Sequence, residues 1–484
     1  MRSILIGLHI AMLSATPVWC DDRESQARAE RPPVVDVEGQ PLGANVVRLL
    51  RALEMHGAPL AIAVTEALQD AAKSRDAARL QRVLDEHVLL VVQINPESRI
   101  KTERGPAIAE LKQGGFSPVI IKVLNQCAST AKLKMVSPQA GAVYAGASRF
   151  SLQRQQQSYL DHDQNVERAT DRFLAAEIFG QSPMSPRLSG LEVEYCLGLL
   201  YSSESGKREA SIGFEVGQRN TEVGSRGETP ILFDIQPAVP VSIDLLDENG
   251  QPTMAHFVFR QRDELGGRVF PLQAKRLAPD LFFQPQVYRQ HGETVMLPPG
   301  VFDVEYGRGT EYKVKRCELR VIEKEPGPTV VARLERWIDP EKHGFFSGDH
   351  HIHAAGCSHY TVPTEGVTPE DMFRQVKGEG LNVGCVLTWG PCYDFQRRFF
   401  SERPHGLSEP RTILKYDVEV SGFGSQALGH VCLLNLRDQT YPGSEGAATK
   451  GWPSWTTPVM RWAKQQGAVT GYAHSASGMH IDAD

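Results

Sequence analysis

A chain of 484 residues is long enough for about three domains of ordinary size, so a single small module is excluded. Hydrophobic residues make up 41% and charged residues 23%, far from the polar, highly charged composition of a disordered protein. With 52 Lys and Arg against 58 Asp and Glu the formal charge is −6, so the basic footprint of a nucleic-acid binder is absent and no nucleic-acid partner is expected.

Residues 1–20 read as a signal peptide. Met1 and Arg2 supply the charged start, residues 4–13 an apolar run too short to span a bilayer as a helix, and residues 14–20 the exit, with cutting after Cys20. The expected location is secreted or periplasmic, with no stable membrane span. Seven cysteines then remain between Cys127 and Cys432 without Cys-x-x-Cys spacing, which predicts neither a dense disulfide framework nor a cysteine zinc site and leaves room for one or two disulfides.

Residues 21–87 read as a charged leader followed by two or three short helices. Val46, Leu49, Leu50 and Leu53, then Ile62 and Leu68, then Leu80 and Val83 recur at helical spacing. Residues 88–185 form a strand-rich region, built on the apolar runs 88–94 and 119–123 with Asn95-Pro96 and Gly114-Gly115 as boundaries.

Residues 186–338 predict a β-sandwich. Val241, Ile243 and Leu245 can face a core while Ser242 and Asp244 face water, and Asp247-Glu-Asn-Gly250 supplies the turn. The run from Val295 to Gly300 gives a strand and a rigid turn leading into Phe302, Val304 and Tyr306. The stretch 247–309 resembles the carboxypeptidase-regulatory-like, transthyretin-type modules of secreted bacterial proteins, a likeness that assigns no chemistry to these residues.

The histidines gather at the other end. Nine of the fifteen lie from His343 onward, where an even spread would place about four or five. Residues two apart on a strand share a side, so His351 and His353 can present two imidazoles to one metal ion while Ile352 packs behind the sheet. Thr368 can cap a helix that starts at Pro369 and runs to about Lys377. Strands at 381–387, 412–420 and 430–436, a helix at 458–466 and a strand at 468–473 follow. This alternation predicts an α/β barrel over residues 339–484. Barrel sites assemble at the C-terminal ends of strands, where His351, His353, Glu419 and His474 fall, with His430 opening the next strand. Imidazoles with a carboxylate suit zinc, manganese or iron, and a carboxylate shared by two ions can hold a hydroxide. Asp349 is expected either to orient a ligand imidazole or to form a strand-end cap or turn.

Taken in order, Gly348-Asp-His-His-Ile-His353, Glu419, Gly429-His430 before an apolar strand, and Tyr472-Ala-His474 resemble the PHP (polymerase and histidinol phosphatase) superfamily, in its carbaryl-hydrolase-like secreted branch. The resemblance covers residues 345–484. It implies a distorted β/α barrel holding two divalent ions, with His351 and His353 on one, Glu419 shared, and His430 and His474 on the second. It further implies catalytic roles for Glu419 and Asp349 in a secreted metal-dependent hydrolase, whose metal-bridging hydroxide attacks a phosphoester, ester, amide or carbamate of a small-molecule substrate.

Two departures from the family pattern stand out. Thr388-Trp-Gly occupies the place of a Thr-x-His-Gly, so a third ion on His359 is not expected. The late Asp-x-His pair of the family has no counterpart before Asp484, so the barrel is expected to be C-terminally incomplete and the chain unstable or inactive. The alternative function is an extracellular binding or scaffold protein whose sandwiches carry the function and whose hydrolase domain is degenerate or incomplete.

Overall fold

The computed structural model describes residues 31–140, 172–217, 227–262, 267–276, 278–281, 284–323, 326–354, 367–388, 396–420, 430–446 and 450–473. The signal peptide, His359 and His474 lie outside the described residues.

Three helices, Gly39–Met55, Ile62–Lys73 and Ala77–Leu84, lie on a five-stranded sheet. Its order is Ile100–Arg104, Val88–Ile94, Phe116–Asn125, Val193–Ser202, Leu174–Ile178. Both faces of this sheet are covered, which is why Val88–Ile94 is nearly continuous apolar text. On one face Val91, Ile120, Leu197 and Leu199 receive Leu42, Val46, Leu49 and Leu80 from the helices. On the other, Leu90, Val92, Ile121 and Val123 pack on Ile212, Phe214, Ile231 and Phe233 of a second sheet. Lys122 breaks the apolar pattern on the helix-covered face. Its ammonium donates to the carbonyl of Pro33 at 2.9 Å, to Gln81 Oε1 at 3.1 Å and to Asp85 Oδ2 at 2.8 Å, and Tyr195 donates its hydroxyl to Asp85 Oδ1 at 2.7 Å.

The second unit is a sandwich. A three-stranded sheet, Thr294–Leu297, Val239–Leu246 and Thr329–Arg333, faces one built on Met254–Gln261, Gly300–Gly307 and Lys315–Val321. Val241, Ile243, Leu245 and Leu297 meet Phe257, Phe259, Phe302 and Val304 in its core. The alternation along Val239–Leu246 follows the period of two expected of a half-buried strand. At the turn, Asp247 Oδ1 accepts from the backbone N–H groups of Asn249 and Gln251, both at 2.8 Å, and Gly250 takes φ +76°, which favours glycine. The described residues thus form a multidomain structure, mostly β-sheet with few helices, in keeping with β-sandwich domains.

The third unit corrects the expected barrel. Its sheet runs Gly348–Ile352, Val383–Thr388, Ile413–Val420, His430–Leu434, Val469–Ala473. The first three strands are parallel, but His430–Leu434 returns antiparallel beside Ile413–Val420, and Val469–Ala473 is antiparallel again. A β/α barrel needs parallel neighbours joined by helical crossovers and a closed ring. Here, among the described residues, the two outer strands each pair on one side only, so the PHP-type barrel is replaced by an open mixed sheet. Its helices are Pro369–Gly378, where Thr368 Oγ1 accepts from the N–H of Asp371, and Thr456–Gln465. The five described cysteines, Cys127, Cys196, Cys317, Cys385 and Cys432, are free.

The helix Pro369–Gly378 also docks on the sandwich. Arg374 grips Glu293 through two nitrogens at 2.6 and 2.8 Å, and the Tyr288 hydroxyl donates to Glu379 Oε1 at 2.6 Å. The approach is close: a Cβ at Gly378 would lie 2.1 Å from Cδ1 of Tyr288. Gly378→Ala is expected to force the ring and helix apart at a cost of about 1–3 kcal/mol, read as lost amide hydrogen-exchange protection along Pro369–Gly378; unchanged protection would contradict this close approach.

Candidate metal centre

The open sheet has two different faces. Ile352, Val386, Leu414, Tyr416, Val418, Val420, Val431 and Leu433 point to the side covered by the two helices. The registers Cys385 with Lys415, Leu387 with Asp417 and Glu419 with Cys432 define the other side. The central strand Ile413–Val420 is buried along almost its whole length, yet it places Lys415, Asp417 and Glu419 in a row on that second face. Burying three ionisable groups is costly unless each is paired. Lys415 donates to Asp417 Oδ1 at 2.9 Å, and Asp417 accepts the backbone N–H groups of Asn435 and Leu436 at 2.7 and 3.0 Å. Glu419 is satisfied by histidines.

Those histidines converge from two strands. His351 Nε2 lies 3.0 Å and His353 Nε2 3.2 Å from Glu419 Oε2, and the two ring nitrogens are 2.9 Å apart. These three groups offer ligand atoms that all lie within 4.8 Å of one another. In a tetrahedral zinc site with bonds of about 2.0–2.1 Å, neighbouring donors stand roughly 3.3 Å apart. The observed triangle is therefore close to one face of such a tetrahedron, and an ion would need to spread it by only a few tenths of an ångström. Three mutually close acceptor or donor atoms cannot all form good hydrogen bonds with each other, whereas a cation satisfies all three at once.

On the opposite carboxylate oxygen, His430 Nδ1 lies 3.1 Å from Glu419 Oε1. Burial works against ionisation of Glu419, but hydrogen bonds from His351, His353 and His430 outweigh it and hold the carboxyl well below its usual range. The contacts of His351 with Cys432 and then Glu419 outweigh burial and raise that imidazole to about 9. Asp349 Oδ1 accepts the backbone N–H of His351 at 2.9 Å, where the register of Gly348–Ile352 shifts between Asp349 and Ile352. The structure thus brings together His351, His353, Glu419 and His430, while the expectation for His474 lies outside the described residues. Sequence reasoning missed the Lys415–Asp417 pair, although charged residues alternating within an apolar strand were its signal. It also passed over Cys432, which sits two residues after His430 and so on the same face.

No family model matches the chain, and no curated protein matches it. Among solved structures, the chain is similar to the group B streptococcus pilus 2b backbone protein at 8% identity, over 47% of this chain and 95% of that one, with a TM-score of 0.16. It is similar to a streptococcal ancillary pilin at 10% identity, over 51% and 61% of the two chains, with a TM-score of 0.17. The pilus adhesin of Streptococcus pneumoniae follows at 8% identity, over 55% and 33%, with a TM-score of 0.13. TM-scores this low assign no fold and no role to this chain. Membership of the PHP superfamily, and the metallohydrolase assignment taken from it, are corrected: no family model supports them, and the described residues are mostly β-sheet with little helix, their C-terminal sheet open and mixed. No helix among the described residues is long and apolar enough to cross a membrane.

Proposed function

We propose that the chain is an extracellular binding or scaffold protein. Its β-rich units form the body, and its C-terminal open sheet holds a divalent cation of the zinc class on His351, His353 and Glu419. The observation that carries the metal assignment is the donor triangle, two imidazole nitrogens and one carboxylate oxygen at 2.9–3.2 Å, built on a buried carboxylate. Two nitrogens and an oxygen suit zinc or a neighbouring transition ion rather than calcium or magnesium, which prefer all-oxygen shells. The signal-like first twenty residues support the extracellular setting.

The test is metal analysis of protein incubated with zinc and then dialysed, followed by assays of the loaded protein on aryl phosphates and aryl esters. The expected result is retained zinc with hydrolysis no faster than in buffer. Zinc lost on dialysis would overturn the metal assignment. Zinc-dependent hydrolysis that disappears in Glu419→Gln would overturn the scaffold assignment.

A further inference from the structure

Cys432 faces the same side of the sheet as His430 and is the direct cross-strand partner of Glu419. Its thiol is buried, and its Sγ lies 4.0 Å from Nδ1 of His351. The other nitrogen of that ring, Nε2, faces Glu419 Oε2 at 3.0 Å. The imidazole therefore stands between sulfur and carboxylate, with one nitrogen turned to each. A neutral imidazole that offers Nε2 to a cation must keep its proton on Nδ1, and in a half-buried ring that N–H is best held by an acceptor. Thiol sulfur is a weak acceptor and makes long contacts, which fits the 4.0 Å separation.

We propose that Cys432 is a positioning residue for the metal centre: its sulfur accepts the Nδ1–H of His351, fixing the tautomer and the ring angle that aim Nε2 at a cation shared with His353 and Glu419. This rests on the metal assignment above and adds a support to it. Cys432 is not a direct ligand in this arrangement, because the ring of His351 separates its sulfur from the donor triangle. Cys432 packs in a small cluster with Cys385, Leu387 and Ala473. Outer supports of metal-bound histidines are usually carboxylates or carbonyls, and their loss weakens metal binding by roughly 10–100-fold.

The experiment is cobalt titration of the full chain as wild type, Cys432→Ala and Cys432→Ser, read by visible absorbance. Cys432→Ala is expected to bind cobalt about 10–100-fold more weakly, Cys432→Ser to regain most of the loss because its hydroxyl can accept, and wild type to show no thiolate-to-cobalt charge-transfer band. Should alanine unfold the sheet, Cys432→Val, similar in size and without an acceptor, gives the same comparison against serine. Wild-type affinity in a folded alanine or valine variant would overturn this inference alone. A charge-transfer band that vanishes with Cys432 would overturn it by making the sulfur a ligand. A wild type that takes up no cobalt would overturn the metal assignment itself.

Discussion

Lys122→Met is expected to destabilise the N-terminal unit by about 3–5 kcal/mol, the cost of removing one partner from a buried ion pair. The pair is internal by any measure: the side chains of Lys122 and Asp85 are 0% and 3% exposed. Burial raises the Asp85 carboxyl and lowers the Lys122 ammonium, and their mutual pairing opposes both shifts. Methionine fits the space of the lysine stem but leaves a carboxylate between helix and sheet with only the Tyr195 hydroxyl to stabilise it. The Pro33 carbonyl loses the lysine donor as well, while the Gln81 amide oxygen keeps only the backbone N–H of Val35. Adding Asp85→Asn should recover much of the loss, since the amide oxygen still accepts from Tyr195 and no charge is stranded. Because a multidomain chain does not unfold in one step, the measurement is amide hydrogen exchange along Phe116–Asn125, whose protection should fall in the single variant and largely return in the double. Equal protection in all three proteins would contradict the pair's role.

The second large effect falls on Glu419. Glu419→Ala should weaken zinc binding by more than the roughly 10–100-fold expected for an outer support, because the carboxylate is both a donor and the negative charge that gathers His351, His353 and His430. Glu419→Gln, which keeps an oxygen but loses the charge, should fall between alanine and wild type. Isothermal titration with zinc checks the order wild type, glutamine, alanine. An alanine variant that binds as tightly as wild type would show that the carboxylate is not a ligand.

Much of this was legible in residue spacing, and the failures have physical causes. Val241, Ile243 and Leu245 announced their burial because a half-covered strand must alternate. Thr368 and Pro369 fixed a helix start that the structure reproduces, since a cap and a preset φ act locally. His351 and His353 were readable as a pair because a strand presents alternate residues to one side, while Glu419 was joined to them through strand ends of a barrel that the pairing does not form. The direction of His430–Leu434 was not readable: an apolar run looks the same whether it pairs parallel or antiparallel, so the alternation of strands and helices pointed to a barrel that the pairing does not form. Lys122 lies inside the run read as apolar, 119–123, and the helices laid over that face make it an internal cation. Cys432 acquires meaning only from a ring contributed by a residue on a strand far away in the sequence.

Anomalous diffraction at the zinc edge from zinc-soaked crystals tests the central claim most directly. The predicted result is a strong peak about 2.0–2.2 Å from each of His351 Nε2, His353 Nε2 and Glu419 Oε2. A saturating soak that leaves these three side chains bonded only to one another, with no peak between them, would contradict it.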